Sequence, residues 1–208
     1  MNNKNFGDII PYAETNLPTE FGSFRVVVFR EIDNDKEHLA IIKGDIENTT
    51  DLLVRVHSEC FTAEVLHSLK CDCKEQLHEA LRAIGQAGRG MIVYLRQEGR
   101  GIGLGNKIRA YSLQESGFDT VDANRALGFE DDSRTYEMAA GMLRYFKVLS
   151  IRLLTNNPEK IEHLENLGIE ITRRESILCE PNPHNIDYFV TKKERMRHMF
   201  SASFLKVD

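Results

Sequence analysis

Three of the four cysteines, Cys60, Cys71 and Cys73, stand in the pattern C-x10-C-D-C, a spacing suited to metal ligation. Zinc favours thiolates and takes four protein ligands where its role is structural. The fourth cysteine, Cys179, lies far down the chain in ILCEP and reads as ordinary packing. Three thiolates without a local fourth partner suggest an open position holding water, as in a catalytic zinc site. Such an ion lowers the pKa of water from about 15.7 to about 7. Closure of the shell by His57 or His67 would instead make the site structural. The competing reading is of small buried hydrophobes, but Lys70, Asp72, Lys74 and Glu75 around C-D-C do not look like core.

Residues 96–109, RQEGRGIGLGNKIR, interleave Gly99, Gly101, Gly103 and Gly105 with four cations against a single acid, Glu98. Glycines let backbone N–H groups approach a phosphate, and guanidinium forks match its oxygens. A helix starting near Asn106 would add its positive end. The stretch is neither G-x-x-x-x-G-K-[ST] nor G-x-G-x-x-G, because Asn106 stands where the third glycine belongs. A solvated loop and a phosphate-binding loop are equally good readings of it. Residues 155–160, TNNPEK, lie between a strand-like and a helix-like run, where ligands gather in open α/β sheets. There Lys160 could contact phosphate and Thr155 a base or ribose, although Asn156 or Asn157 as a simple helix cap is the plainer account. The acids of 128–134, GFEDDSR, could act as a general base or cap a helix. Tyr111 could be an acid or a core aromatic.

These groups need a scaffold. β-branched runs bounded by turn residues predict strands over 23–30, 38–44, 51–57, 90–95, 148–154 and 169–173. Apolar residues at helical spacing predict helices over 75–87, 106–116, 133–146, 157–167 and 191–200. The expected fold is α+β (mixed α/β): one domain, strand-rich in its N-terminal half and helix-rich in its C-terminal half. Residues 1–21 read as a loose arm, 22–200 as the catalytic domain and 201–208 as a tail. With 208 residues, 41% of them hydrophobic, the chain can bury a sizeable core. Its net charge of −5 argues against a general nucleic-acid binder. No apolar run approaches the roughly 18–20 residues of a membrane span, and the N-terminus lacks a signal-peptide core. A cytoplasmic location is the expectation.

Seven segments in order resemble the GTP cyclohydrolase II family of riboflavin biosynthesis: RVHSEC (55–60), CDC (71–73), RQEGRGIGL (96–104), NKIRAY (106–111), DTVDAN (119–124), LGFEDDSRTY (127–136) and LLTNNPEK (153–160). The resemblance covers almost the whole chain. It implies hydrolysis of GTP to formate, pyrophosphate and a diaminopyrimidinone ribosyl phosphate, with the guanine imidazole ring opened at C8. It makes Cys60, Cys71 and Cys73 the ligands of one Zn²⁺, with water in the fourth position, and places a Mg²⁺ on the phosphates. Tyr111 would assist the hydrolytic steps near C8. Substrate binding would fall to Arg55, Val56, His57, Ser58, Glu59, Gln76, Glu98, Gly99, Arg100, Thr120, Thr155 and Lys160. Glu98 in particular would accept from the guanine N1–H and exocyclic amine.

The resemblance makes Asp132 a proton acceptor and Arg134 a nucleophile on the α-phosphorus. The guanidinium pKa, above about 12, favours charge stabilisation by Arg134 instead. The family also implies a homodimer. Lys74, Glu180, Pro181 and Arg197 depart from its usual pattern. They leave room for a paralogue serving another pathway or opening GTP only partway; a non-catalytic zinc- and GTP-binding regulator is the remaining alternative.

Overall fold

The computed structural model describes residues 9–32 and 34–200. Seven strands form one mixed sheet: β1 (Ile9–Thr19), β2 (Gly22–Glu31), β3 (Glu37–Lys43), β4 (Leu52–Ser58), β5 (Gly90–Leu95), β6 (Ile151–Leu154) and β7 (Ile171–Glu175). Their spatial order is β1-β2-β3-β5-β4-β6-β7. The β1-β2-β3-β5 half is antiparallel, and the β5-β4-β6-β7 half is parallel. The helices are α1 (Phe61–Glu64), α2 (Cys73–Ala87), α3 (Gly103–Glu115), α4 (Thr120–Ala126), α5 (Glu137–Tyr145), α6 (Pro158–Asn166) and α7 (Ile186–Glu194). The expected single α+β domain is what forms.

Strand β4 sets the layering. All but the last of its residues are buried, and alternate side chains of a covered strand enter opposite cores. Leu52, Val54 and Val56 join the larger core with Met91, Val93 and Leu153, closed by Ala139, Met142 and Leu143 of α5 and Leu164 of α6. Leu53 joins a smaller core with Ile92, Leu154 and, from α2, Ala80 and Ile84. Truncating a fully buried side chain such as Leu143 or Ile84 to Ala would cost about 2–5 kcal/mol. Arg55 and His57, in phase with Leu53, therefore point to the α2 side of the sheet.

Local chemistry sets the ends of these helices. Gly88 ends α2 in the left-handed region at φ 71°. Asn157 caps α6, its side chain accepting from Glu159 N–H, with Pro158 in the first turn. The plain cap reading of Asn157 is thus what the structure contains.

Several boundaries differ from the sequence expectation. Residues 9–19 are a strand, not part of a loose arm, and pair with β2 along their length. As an edge strand exposed over most of its length, β1 lacks the alternation that signals burial and tolerates Pro11 and Pro18. Residues 1–8 of the expected arm and the expected tail 201–208 lie outside the described residues. The helix expected at 133–146 begins only at Glu137, and the one expected at 191–200 runs instead from Ile186 to Glu194. Helices α1 and α4 were not anticipated. Among the described residues, no helix is long and apolar enough to cross a membrane.

The carboxyl ends of β4, β5 and β6 open on one side. Ser58 to Cys60 follow from β4, the glycine-rich stretch from β5 and Thr155 from β6. This is where ligands gather in open sheets whose helices lie on both faces.

Candidate active site

Cys60 immediately precedes α1, and Cys71 and Cys73 flank Asp72 at the start of α2. Among the described residues, their three sulfurs converge within 4.8 Å of one another. Cys60 and Cys71 lie 3.6 Å apart. Tetrahedral zinc with Zn–S near 2.3 Å would hold sulfurs about 3.8 Å apart, so the donor set fits a thiolate-bound divalent ion. Neither candidate histidine closes the shell. His67 sits beside Lys74, while His57 Nε2 is engaged by Glu64 Oε1 at 2.8 Å. Glu64 also accepts from the Cys60 N–H at 3.0 Å and from the Tyr94 hydroxyl at 2.6 Å, which anchors Cys60. The neighbouring Cys71 and Cys73 thiols, with Lys107, hold the Cys60 sulfur far below an ordinary thiol pKa. Cys179 stays outside the group.

The sulfurs border a cavity of about 330 Å³. Arg55 reaches it from β4, donating to Leu154 O at 2.9 Å and to Gln76 Oε1 at 2.5 Å, while its Nε has no partner among the described residues. Lys160 of α6 is 4% exposed, and its Nζ donates to Val56 O at 2.6 Å. Burial, and the Arg55 and Arg134 charges beside it, push the Lys160 pKa well below the usual lysine value. Arg134 is clasped by Asp132 through Nε at 2.9 Å and through a second contact from Nη2. Burial works against the Arg134 charge, but the Tyr136 and Asp132 oxygens outweigh it and hold the guanidinium firmly protonated. Burial also opposes ionisation of Asp132, yet Arg134 keeps that carboxyl below its ordinary value. Such a crowd of buried cations suits a polyanionic ligand. Tyr111 lines the same cavity, and burial pushes its phenol up to about 12, so it is a neutral donor.

The glycine-rich stretch folds into a tight 3₁₀ turn with Gly99 at φ 62° and Arg100 at φ 60°. Gly101 has φ 93°, and a Cβ there would lie 2.8 Å from Ser133 O, so only glycine lets this loop meet the segment carrying Arg134.

The sequence model of GTP cyclohydrolase II matches residues 11–176. The chain belongs to the GTP cyclohydrolase II family. It is 50% identical over 189 residues to "GTP cyclohydrolase-2" of Picrophilus torridus, covering 91% of this chain and 98% of that one. It is 52% identical over 187 residues to "GTP cyclohydrolase-2" of Pasteurella multocida, covering 89% and 85%. The "Riboflavin biosynthesis protein RibBA" of Parabacteroides distasonis is 52% identical over 187 residues, 90% of this chain but 46% of that longer one. A solved two-domain 3,4-dihydroxy-2-butanone 4-phosphate synthase of A. baumannii is similar at a TM-score of 0.49 and 22% identity, over 83% of this chain and 40% of that one. The protein is therefore a hydrolase of the riboflavin biosynthetic family.

Most of the residues expected from the sequence to form the site do line this cavity. From the first half come Arg55, His57, Ser58, Glu59 and Gln76; the glycine-rich turn adds Glu98, Gly99 and Arg100. From the second half come Thr120, Arg134, Thr155 and Lys160. Val56 is the exception: strand alternation sends its side chain into the larger core, and only its carbonyl serves the site, by holding Lys160. Asp132 meets the cavity through Arg134 rather than lining it, and it does not cap α5, whose capping position is Tyr136. The Thr155 hydroxyl accepts from Asn157 N–H at 3.1 Å.

Glu98 is more occupied than the sequence suggests. Its Oε1 accepts from Gly99 N–H and Lys107, and its Oε2 from Phe61 N–H at 2.6 Å. One acceptor position remains on Oε2, not the pair that two guanine donors would need.

Sequence reasoning counted Lys107 only among the cations of the glycine-rich stretch, and it missed the wall supplied by α7, including Tyr188, Lys192 and, just beyond it, His198. The signal for Lys107 was its place in NKIRAY. For α7 there was only the helix expected over 191–200.

Proposed function

We propose that the protein hydrolyses GTP in a zinc-dependent reaction, opening the guanine imidazole ring and releasing formate and pyrophosphate. The remaining product would be 2,5-diamino-6-(5-phosphoribosylamino)pyrimidin-4(3H)-one, the first intermediate of riboflavin biosynthesis. The observation that carries this reading is the convergence of three sulfurs, the buried Arg55 and Lys160 and the half-buried Arg134 on one cavity. The family's named activity supplies the substrate.

Cys60, Cys71 and Cys73 would hold the zinc, which supplies Lewis acidity and a water nucleophile near neutral pH. Arg55, Lys160 and Arg100 bind the triphosphate, with a Mg²⁺ sharing the phosphate charge. The orphaned Arg55 Nε offers a further donor. Glu98 Oε2 accepts one guanine N–H and so turns C8 toward the sulfurs. Tyr111, protonated at neutral pH, gives a proton to the ring nitrogen that departs from C8 and recovers one from the water consumed in deformylation. Arg134, locked in its charged form by Asp132, stabilises the α-phosphoryl group as pyrophosphate leaves; a neutral guanidine nucleophile is out of reach in this setting. The active form is a cytoplasmic homodimer.

The test is incubation of metal-loaded protein with GTP and Mg²⁺, with formate and pyrophosphate assayed together and Cys71→Ser as the control. Equal yields of both products, lost in Cys71→Ser, support the reading. Pyrophosphate without formate would indicate partial processing, and binding with neither product would indicate a regulator; either result refutes it.

A further inference from the structure

The roles above leave one largely shielded ion pair without a task toward the metal. Lys107, in the second turn of α3, and Glu98 have side chains only 12% and 8% exposed, and they meet at 2.7 Å. The same ammonium donates to Cys60 Sγ at 3.0 Å. Glu98 is fixed by N–H groups of Phe61 and Gly99, so two backbone segments aim the lysine. A Cβ at position 99 would lie 3.1 Å from Lys107 Cβ, so glycine there makes room for the lysine stem. Buried ion pairs add little net stability, so the folding energy alone does not explain why this one is aimed at a sulfur.

Electrostatics does explain it. Three thiolates around a divalent ion leave one surplus negative charge, and a single ammonium offsets it. A hydrogen bond to a ligating sulfur also withdraws electron density from that sulfur, which weakens its donation and leaves the ion a stronger Lewis acid.

We propose that Lys107 is a positioning residue of the metal centre: oriented by Glu98, its ammonium hydrogen-bonds the Cys60 thiolate and sharpens the Lewis acidity of the bound ion. This rests on reading the three cysteines as metal ligands. In this role Lys107 acts through Cys60.

The experiment loads the full chain with Co²⁺, whose thiolate-to-metal charge-transfer band reports sulfur donation directly. Lys107→Met keeps the length and removes the charge; Lys107→Arg keeps a charged donor. In Lys107→Met the band should move to lower energy, and kcat on the zinc-loaded protein should fall about 10- to 100-fold with KM changed far less. Lys107→Arg should restore most of the band position. If Lys107→Met does not fold, Lys107→Gln, a neutral donor, should give a smaller shift in the same direction. Superimposable bands in wild type and folded variants overturn the proposal while leaving the metal site intact. Failure of the wild type to take up Co²⁺ or zinc at all overturns the metal reading, and the role of Lys107 with it.

Discussion

Replacing Lys192 by Met should loosen the site from its C-terminal side. Lys192 Nζ meets Asp72 Oδ1 at 2.7 Å, with the two side chains 8% and 2% exposed. Asp72 is the middle residue of C-D-C, and its other oxygen accepts from Gln76 Nε2 at 2.6 Å. Gln76 in turn accepts from Arg55, so one chain of bonds runs from α7 through the Cys71-Asp72-Cys73 turn to β4. At an effective dielectric near 20, charges this close attract by about 6 kcal/mol before desolvation is counted. Desolvation offsets most of that in the intact pair, but removing one partner strands the other and costs about 3–5 kcal/mol. The surviving Gln76 bond places Lys192→Met near the lower end, about 3 kcal/mol. For a chain of this size that is a drop in Tm of roughly 6–12 °C. Asp72→Asn combined with Lys192→Met removes the stranded charge and should recover more than half of the loss. Thermal and denaturant unfolding of the four proteins of this cycle, with metal content measured on each, is the assay. A Lys192→Met protein within about 1 kcal/mol of wild type, or a double variant no better than the single, would refute the reasoning.

Three further outcomes are expected. Arg134→Lys retains a positive charge but loses the fork that Asp132 holds, so steady-state kinetics should show kcat reduced about 10²- to 10³-fold; a loss under about 10-fold would contradict the phosphoryl role. Lys160, depressed by burial and by neighbouring cations, should recover a more ordinary pKa when a triphosphate arrives. Between its free and bound values GTP binding then takes up a proton. Calorimetry in buffers of different ionisation enthalpy should detect that uptake in wild type and lose it in Lys160→Met. His198 is pushed down to about 3 by burial, with the Lys192 charge adding to the effect. Its unfolded pKa is the higher one, so unfolding takes up a proton once the pH falls below about 6.5. The stabilisation is whole above that value and drains away as pH falls toward 3. His198→Gln should flatten the stability–pH slope in that window by about 1 kcal/mol per pH unit, read by denaturant melts; an unchanged slope would rule the residue out.

What could be read from the sequence followed from whether the signal was local. C-x10-C-D-C and the interleaved glycines are short-range patterns of residue type, and the sulfurs and the turn lie together as those patterns imply. Strands β2 to β5 announced themselves through β-branched runs. Strand β1 could not, because an edge strand open to water imposes no alternation on its side chains. Helix α4, of seven residues, is under two full turns, too short for a 3.6-residue period to repeat. Val56 shows the opposite failure: the alternation in Val54-Arg55-Val56-His57 already assigned it to the other face, and the binding motif was read as a block in spite of it. The hardest residues were the lysines turned inward. A lysine on a helix reads as solvated until the fold supplies its partner, and those partners are remote: 47 positions separate Lys107 from Cys60 and 120 separate Lys192 from Asp72. Neither pair leaves a periodicity, since each is a single contact between segments that the sheet brings together. The cost of burying an unpaired charge is what forces such pairs to form, and it acts only in three dimensions. The cysteine cluster is therefore written in the sequence, whereas the charges beside it become visible only where α3 and α7 reach the segments carrying Cys60 and Asp72.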